Sequence, residues 1–141
     1  MIVADTGAMV ALFDRGDRDH DAVKQVFDEH ARQWIVPAAI LPEVDYLVAK
    51  YLGSRAQEIL LEDLAEGGFA IDWGRDVDLA VAHRINRRHR SLELGLVDAL
   101  VIATAERLKA TAIVTLDLRH FGAVALTGAP RLLPRDAKRS G

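Results

Sequence analysis

Residues 1–14 read MIVADTGAMVALFD, and the change of character at Asp5 decides how the rest of the chain is read. Ile2-Val3-Ala4 is apolar and partly β-branched, the composition of a short buried strand. Thr6-Gly7 then lead into Ala8–Phe13, an apolar run of helical character. A carboxylate at a strand tip, directly before a helix, has two readings. It caps the helix, as Asp readily does, or it belongs to a site whose other members lie further along the chain.

Working outward, the same alternation recurs. Strand-like runs are Trp34–Val36, Phe69–Ile71 and Ala112–Thr115, with weaker ones at Val124–Leu126 and Arg131–Leu133. Between them lie helical patterns. Asp19–Ala31 has Ala22, Val23, Val26 and Phe27 on one face, and Ala38–Tyr51 has Ile40, Leu41, Val44, Leu47, Val48 and Tyr51. Ser54 is placed to cap a helix over Arg55–Glu66, which Gly67-Gly68 stops. Helices over Asp76–His89 and Leu96–Leu108 follow. Strands alternating with helices of this length predict an α/β fold, a three-layer α/β/α arrangement around a mainly parallel sheet.

The composition bounds the function. A chain of 141 residues, half of them hydrophobic, is long enough for one well-packed domain and too apolar for a disordered one. We expect that domain at residues 1–134, with a loose charged tail at 135–141. The net charge of −3 gives no global attraction to a polyanion, so any nucleic-acid contact needs a local basic patch. The absence of cysteine excludes disulfides, zinc–thiolate centres and thiol nucleophiles. No signal-peptide pattern and no membrane-length apolar window is visible, and the expectation is a cytoplasmic protein with no membrane partner.

Ligands of parallel α/β sheets bind at the carboxyl ends of the strands, and four acids map there. Asp5 ends the first strand, and Glu43 follows Pro42 in the first turns of the helix after Trp34-Ile35-Val36. Asp98 lies near the start of its helix, one position off a stripe of Val97, Leu100, Val101, Thr104 and Leu108. Small Ala99, Ala103 and Ala105 let that helix approach the sheet closely. Asp117 comes directly after Ala112–Thr115. Taken singly, Asp5 is a cap, Asp98 a first-turn acid favoured by the helix dipole and Asp117 a turn residue. Together at one edge they repel, and they must take up protons or share a cation. No Lys or Arg adjoins Asp5, Glu43 or Asp98 in sequence. Oxygen-only ligands favour Mg²⁺, with Mn²⁺ as the alternative, and such an ion suits phosphoryl chemistry.

Four blocks carry a resemblance: VADTGAMVALFD with Asp5, PAAILPEVDYLV with Glu43, GLVDALVIATAERL with Asp98 and AIVTLDLRHFG with Asp117. In this order the chain resembles the PIN-domain ribonucleases, specifically the VapC-like toxins of bacterial toxin–antitoxin pairs, from the first strand to about Pro134. The resemblance implies a metal-dependent endoribonuclease acting on structured RNA such as tRNA or rRNA, with the four acids as the metal site. Thr115 matches the hydroxyl that accompanies them, and Thr6 is a candidate for the same pocket. Gly7 stands where relatives often have Ser, which removes one hydroxyl beside the first acid. The resemblance further implies a homodimer and a cognate antitoxin. An antitoxin segment would lie over Phe13, Leu47, Val48, Tyr51, Leu60 and Leu61 and insert a basic side chain among the acids. Taken one at a time, those six residues are more simply core.

The remaining features are weighed against plainer readings. Arg84, Arg87, Arg88 and Arg90, in HRINRRHR, either grip RNA phosphates or simply form a solvated helix end. The five histidines have no metal-ligand spacing and read as solvated or structural; His120, beside the Asp117 motif, is placed to touch substrate without a defined role. Trp34 and Trp73 read as packing residues, and Arg15 and Asp17 as a turn and cap signal. Asp45, an extra acid two residues after Glu43, reads as surface. A catalytically silent PIN-like binding module is the competing function. A phosphate-accepting receiver domain is rejected, because Asp5 has no acidic neighbour and no Lys comes directly after Thr115.

Overall fold

The computed structural model describes residues 1–124 and 126–137. Five short strands form one sheet: β1 (Ile2–Ala4), β2 (Trp34–Pro37), β3 (Ala70–Asp72), β4 (Ala112–Val114) and β5 (Arg131–Leu133). All pair in parallel in the order β3-β2-β1-β4-β5. The helices are α1 (Thr6–Phe13), α2 (His20–His30), α3 (Leu41–Leu52), α4 (Ser54–Ala65), α5 (Val77–Arg88), α6 (Gly95–Arg107) and the single turn α7 (Leu118–Phe121). Helix α1 packs on α2 and α3, and α3 packs on α4, while α5 packs on α6. This is the expected three-layer α/β/α arrangement.

The strand order has a functional consequence. From β1 the chain builds outward through β2 to β3, then returns to add β4 and β5 on the other side of β1. The order therefore reverses between β1 and β4, and the crevice outside the carboxyl ends of those two strands is where an open sheet takes a ligand. Ala4 pairs with Val114 in register, so Asp5 and Thr115 are the first residues past each strand.

The core explains the apolar runs. Ile2, Val3, Ala4, Ala112, Ile113 and Val114 are buried, as central parallel strands require. Helix α6 differs from the expected stripe. Val101 to Ala105 are all buried, because this stretch of the helix lies between β1 and α5.

Several further expectations need correction. The stretch Val124–Leu126 is not a strand on either side of Ala125, which lies outside the described residues; β5 takes the edge position instead. Ser54 does not cap α4 but is its first residue, and Gly53 makes the junction at φ 93°, a conformation that suits glycine. Tyr51 is exposed, because the stripe of α3 runs through Val44, Val48 and Leu52 and leaves Tyr51 to one side, where Lys50 sits over its ring at 5.3 Å. Val48 and Leu60 are core, whereas Tyr51 and Leu61 are exposed together with Tyr46 and Ile59. Trp34 is buried against Phe27, edge-on at 5.2 Å, but Trp73 is 78% exposed because it lies one residue past the end of β3. Of the expected tail, Asp136 accepts from the Leu132 N–H at 2.8 Å, and residues 138–141 lie outside the described residues.

Candidate metal centre

Asp5 caps its helix and also meets a residue from far along the chain. Its Oδ1 accepts from the Ala8 N–H at 3.0 Å, capping α1, and its Oδ2 accepts from the Thr115 hydroxyl at 2.5 Å. Thr115 in turn accepts from the Asp117 N–H at 2.9 Å, so one buried hydroxyl ties the end of β1 to the turn after β4. Asp117 caps α7 by accepting from the His120 N–H at 3.1 Å. Asp5 is buried, and that burial raises its pKa from 3.8 to about 6, with the nearby Asp98 and Asp117 charges adding to the rise. The Thr115 and Ala8 hydrogen bonds oppose it.

Asp98 is half-buried in the first turn of α6. Desolvation is the main cause of its raised pKa; His120 works against it, and Asp117 and Glu43 add to it. The loop leading into α6 is held by Asn86 of α5, whose side chain accepts from the Gly95 N–H at 3.1 Å and donates to the Gly95 carbonyl at 3.2 Å. Gly95, at φ 77°, makes the turn that starts the helix.

The residues singled out in the sequence fall into three groups. Asp5, Thr115, Asp98 and Asp117 gather around the β1–β4 crevice. Glu43 stands in the first turn of α3, exposed rather than pressed into the apolar stripe, and its charge reaches Asp98. Arg84, Arg87 and Arg88 are exposed on the last turns of α5 and Arg90 on the turn that follows, on the connection tied to Gly95. Asp45 acquires a structural role, accepting from the Gln57 side chain at 2.8 Å and so joining α3 to α4.

His120 is the residue that sequence reasoning undervalued. Its Nδ1 lies 2.8 Å from Asp98 Oδ2 and 3.1 Å from Asp117 Oδ2. The signal was present in the spacing: three positions after Asp117, in a helical turn, a side chain returns to the same face. His20, by contrast, is structural, its Nδ1 2.8 Å from the Ala11 carbonyl.

A divalent cation fits these donors. Among the described residues no Lys or Arg forms an ion pair with Asp5, Glu43, Asp98 or Asp117, and the basic side chain that faces any of them is His120, against Asp98 and Asp117. The Thr6 hydroxyl next to Asp5 is buried without a hydrogen-bond partner, a second oxygen left for something the chain does not supply. Asp98, Asp117 and His120 each offer a ligand atom, all within 4.8 Å of one another.

Comparison with known proteins gives the family and the fold. Residues 2–126 match the PIN domain family. Ribonuclease VapC26 of Mycobacterium tuberculosis (strain ATCC 25618 / H37Rv) is 33% identical over 130 residues, which cover 92% of this chain and 96% of that protein. In structure, the chain superposes on VapC20 of Mycobacterium tuberculosis, a Sarcin-Ricin loop cleaving toxin, with a TM-score of 0.80 at 20% identity, covering 91% and 98% of the two chains. It also superposes on VapBC2 from Rickettsia felis, solved with a DNA fragment from the promoter of that pair, at a TM-score of 0.69 and 17% identity over 94% and 97%. FitAcB from Neisseria gonorrhoeae gives 0.63 at 18% identity over 94% and 96%. These three structures share the fold.

Proposed function

The chain belongs to the PIN domain family, on its VapC-type branch, and from that premise we propose that it is a Mg²⁺-dependent endoribonuclease, the toxin of a toxin–antitoxin pair. The observation that carries the reading is the set of carboxylates at the β1–β4 crevice, facing one another with no Lys or Arg paired to them among the described residues. In this reading Asp5, Glu43, Asp98 and Asp117 hold the ion, with Mn²⁺ able to replace it, and residues 1–134 form the nuclease unit. A bound divalent ion would lower the pKa of a water and stabilise charge on a phosphodiester.

The chain's own residues do the positioning. Thr115 fixes Asp5 and the Asp117 turn relative to each other through two hydrogen bonds. Asn86 and Gly95 set the start of α6 and so the height of Asp98 on the rim. The exposed Arg84, Arg87, Arg88 and Arg90 would grip RNA phosphates beside the acids. This local patch is what a chain of net charge −3 needs to hold a polyanion. The substrate is a structured cellular RNA, with tRNA and rRNA the leading classes; the rRNA case has a parallel in the Sarcin-Ricin loop cleaved by VapC20. A cognate antitoxin would use the exposed Tyr46, Tyr51, Ile59 and Leu61, and the working form would be a cytoplasmic homodimer. No helix among the described residues is long and apolar enough to cross a membrane.

The test is cleavage of total cellular RNA by the purified, antitoxin-free chain with Mg²⁺, with EDTA, and with a folded Asp98→Asn variant. Discrete fragments that require both Mg²⁺ and Asp98 establish the nuclease and name its cut site. A folded, metal-loaded wild type that binds RNA and cuts none would instead make this a silent PIN-like binding module.

A further inference from the structure

The most informative unassigned group is the imidazole of His120. Its place is fixed from two directions. Its own N–H caps onto Asp117 Oδ1 at 3.1 Å, and the next residue, Phe121, is buried in the core. The backbone from which the ring projects is therefore fixed by α7, and its Nδ1 lies against Asp98 and Asp117. A bare nitrogen lone pair facing two carboxylate oxygens is repulsive, so that position requires a proton or a cation between the three atoms.

The spacing suits a hydrogen bond from a protonated Nδ1 and equally suits a cation shared by the three groups. Ligands at right angles around an ion with bonds near 2.1 Å stand about 3 Å apart. The two separations from Nδ1, 2.8 and 3.1 Å, match that edge length. The three ligand atoms also lie within one coordination sphere of each other.

We propose that His120 is a nitrogen ligand of the metal centre and tunes its preference from Mg²⁺ towards first-row transition ions, of which Mn²⁺ is the probe. The proposal rests on the reading of the four acids as a metal site, and adds to it a donor of different chemistry. Carboxylates alone serve Mg²⁺ and Mn²⁺ alike, whereas an imidazole contributes little to Mg²⁺ and favours the transition ion.

The test uses the full chain without its partner. Pulsed electron paramagnetic resonance on the Mn²⁺-loaded wild type reads nitrogen coupling directly and needs no variant. Calorimetric titration with Mn²⁺ and with Mg²⁺ then compares wild type, Asp98→Asn and a folded His120→Gln. The expected result is nitrogen coupling in the wild type and none in His120→Gln. Mn²⁺ affinity should fall by about tenfold or more in that variant, while Mg²⁺ affinity stays within about twofold. Mn²⁺ bound in an Asp98-dependent way but without nitrogen coupling overturns the role of His120 and leaves the acid site standing, as does an equal loss for both ions. A wild type that binds neither ion overturns the metal-site reading and this proposal together.

Discussion

Across 110 positions of sequence, the Thr115 hydroxyl donates to Asp5 Oδ2 at 2.5 Å. This one contact spans the point where the strand order reverses, and the same oxygen accepts from the Asp117 backbone. Thr115 is therefore a positioning residue for two acids at once. Replacing it with Val keeps the shape but strips a donor from Asp5 and an acceptor from Asp117. The expected loss is about 1–3 kcal/mol of stability, together with a large fall in RNA cleavage. Thr115→Ser should recover both, as read by urea denaturation and initial cleavage rates.

The metal-free protein should lose stability as the pH rises from about 4 to about 7. Asp5 has a folded pKa of about 6 against its ordinary 3.8, raised chiefly by burial. A group raised in this way contributes stability that is complete below the unfolded value and is lost as the pH climbs through the folded one. Its share is about 3 kcal/mol at most, and Asp98 acts in the same direction. Asp72 acts oppositely: Arg107 lowers its pKa, so its contribution falls away under acid. Melting curves in EDTA should show the decline, Asp5→Asn should flatten it, and Mg²⁺ at pH 7 should reverse it. A wild-type profile that rises over this window would exclude the effect.

Arg107 is expected to matter for the fold and not for the chemistry. It reaches from the last turn of α6 to Asp72 at the end of β3 and to Asp78 in the first turn of α5, both well shielded. Removing it leaves two carboxylates facing each other without their cation. Arg107→Ala should cost about 3 kcal/mol or more, with the Mg²⁺ affinity of the surviving folded protein unchanged.

The Asn86 clamp should show up in cleavage more than in stability. Asn86→Ala removes two hydrogen bonds to Gly95, on a partly exposed loop, for about 1–2 kcal/mol. Because that loop sets the start of the Asp98 helix, we expect the turnover number to fall by more than the stability change accounts for, measured on enzyme kept well below its melting temperature.

For the basic patch the readout is salt. Changing Arg84, Arg87 and Arg88 together to Gln should reduce the slope of log affinity against log salt by roughly 2 if all three meet phosphates. The variant bound to saturating RNA should cleave at a near-normal rate. An unaltered slope would return these side chains to being a solvated helix end.

Much of this was open to reading from the sequence because it depends on local patterning. Buried parallel strands are short apolar runs, amphipathic helices announce their period, and an acid at each strand end follows from the alternation. The parallel sheet, the placement of Asp5 at a strand end and the family blocks were legible in that way. Asp5 as a cap was legible too, since an N-cap bond spans only three residues.

What tertiary structure alone decided are the relations that depend on distant neighbours. Exposure of Trp73 and Tyr51, burial of Val101 to Ala105 in α6 and the freedom of Glu43 from the apolar stripe depend on which surface packs against which. The pairing of Arg107 with Asp72 and Asp78 joins three elements whose order in the sequence says nothing of their contact. His120 is the sharpest case: its spacing from Asp117 is local, but its hold on Asp98 exists only because β4 returns beside β1. Periodicity carries the free energy of burial, and so it reports the fold. Charge and hydrogen bonding act over a few ångströms in space, and those distances are set only once the chain has closed.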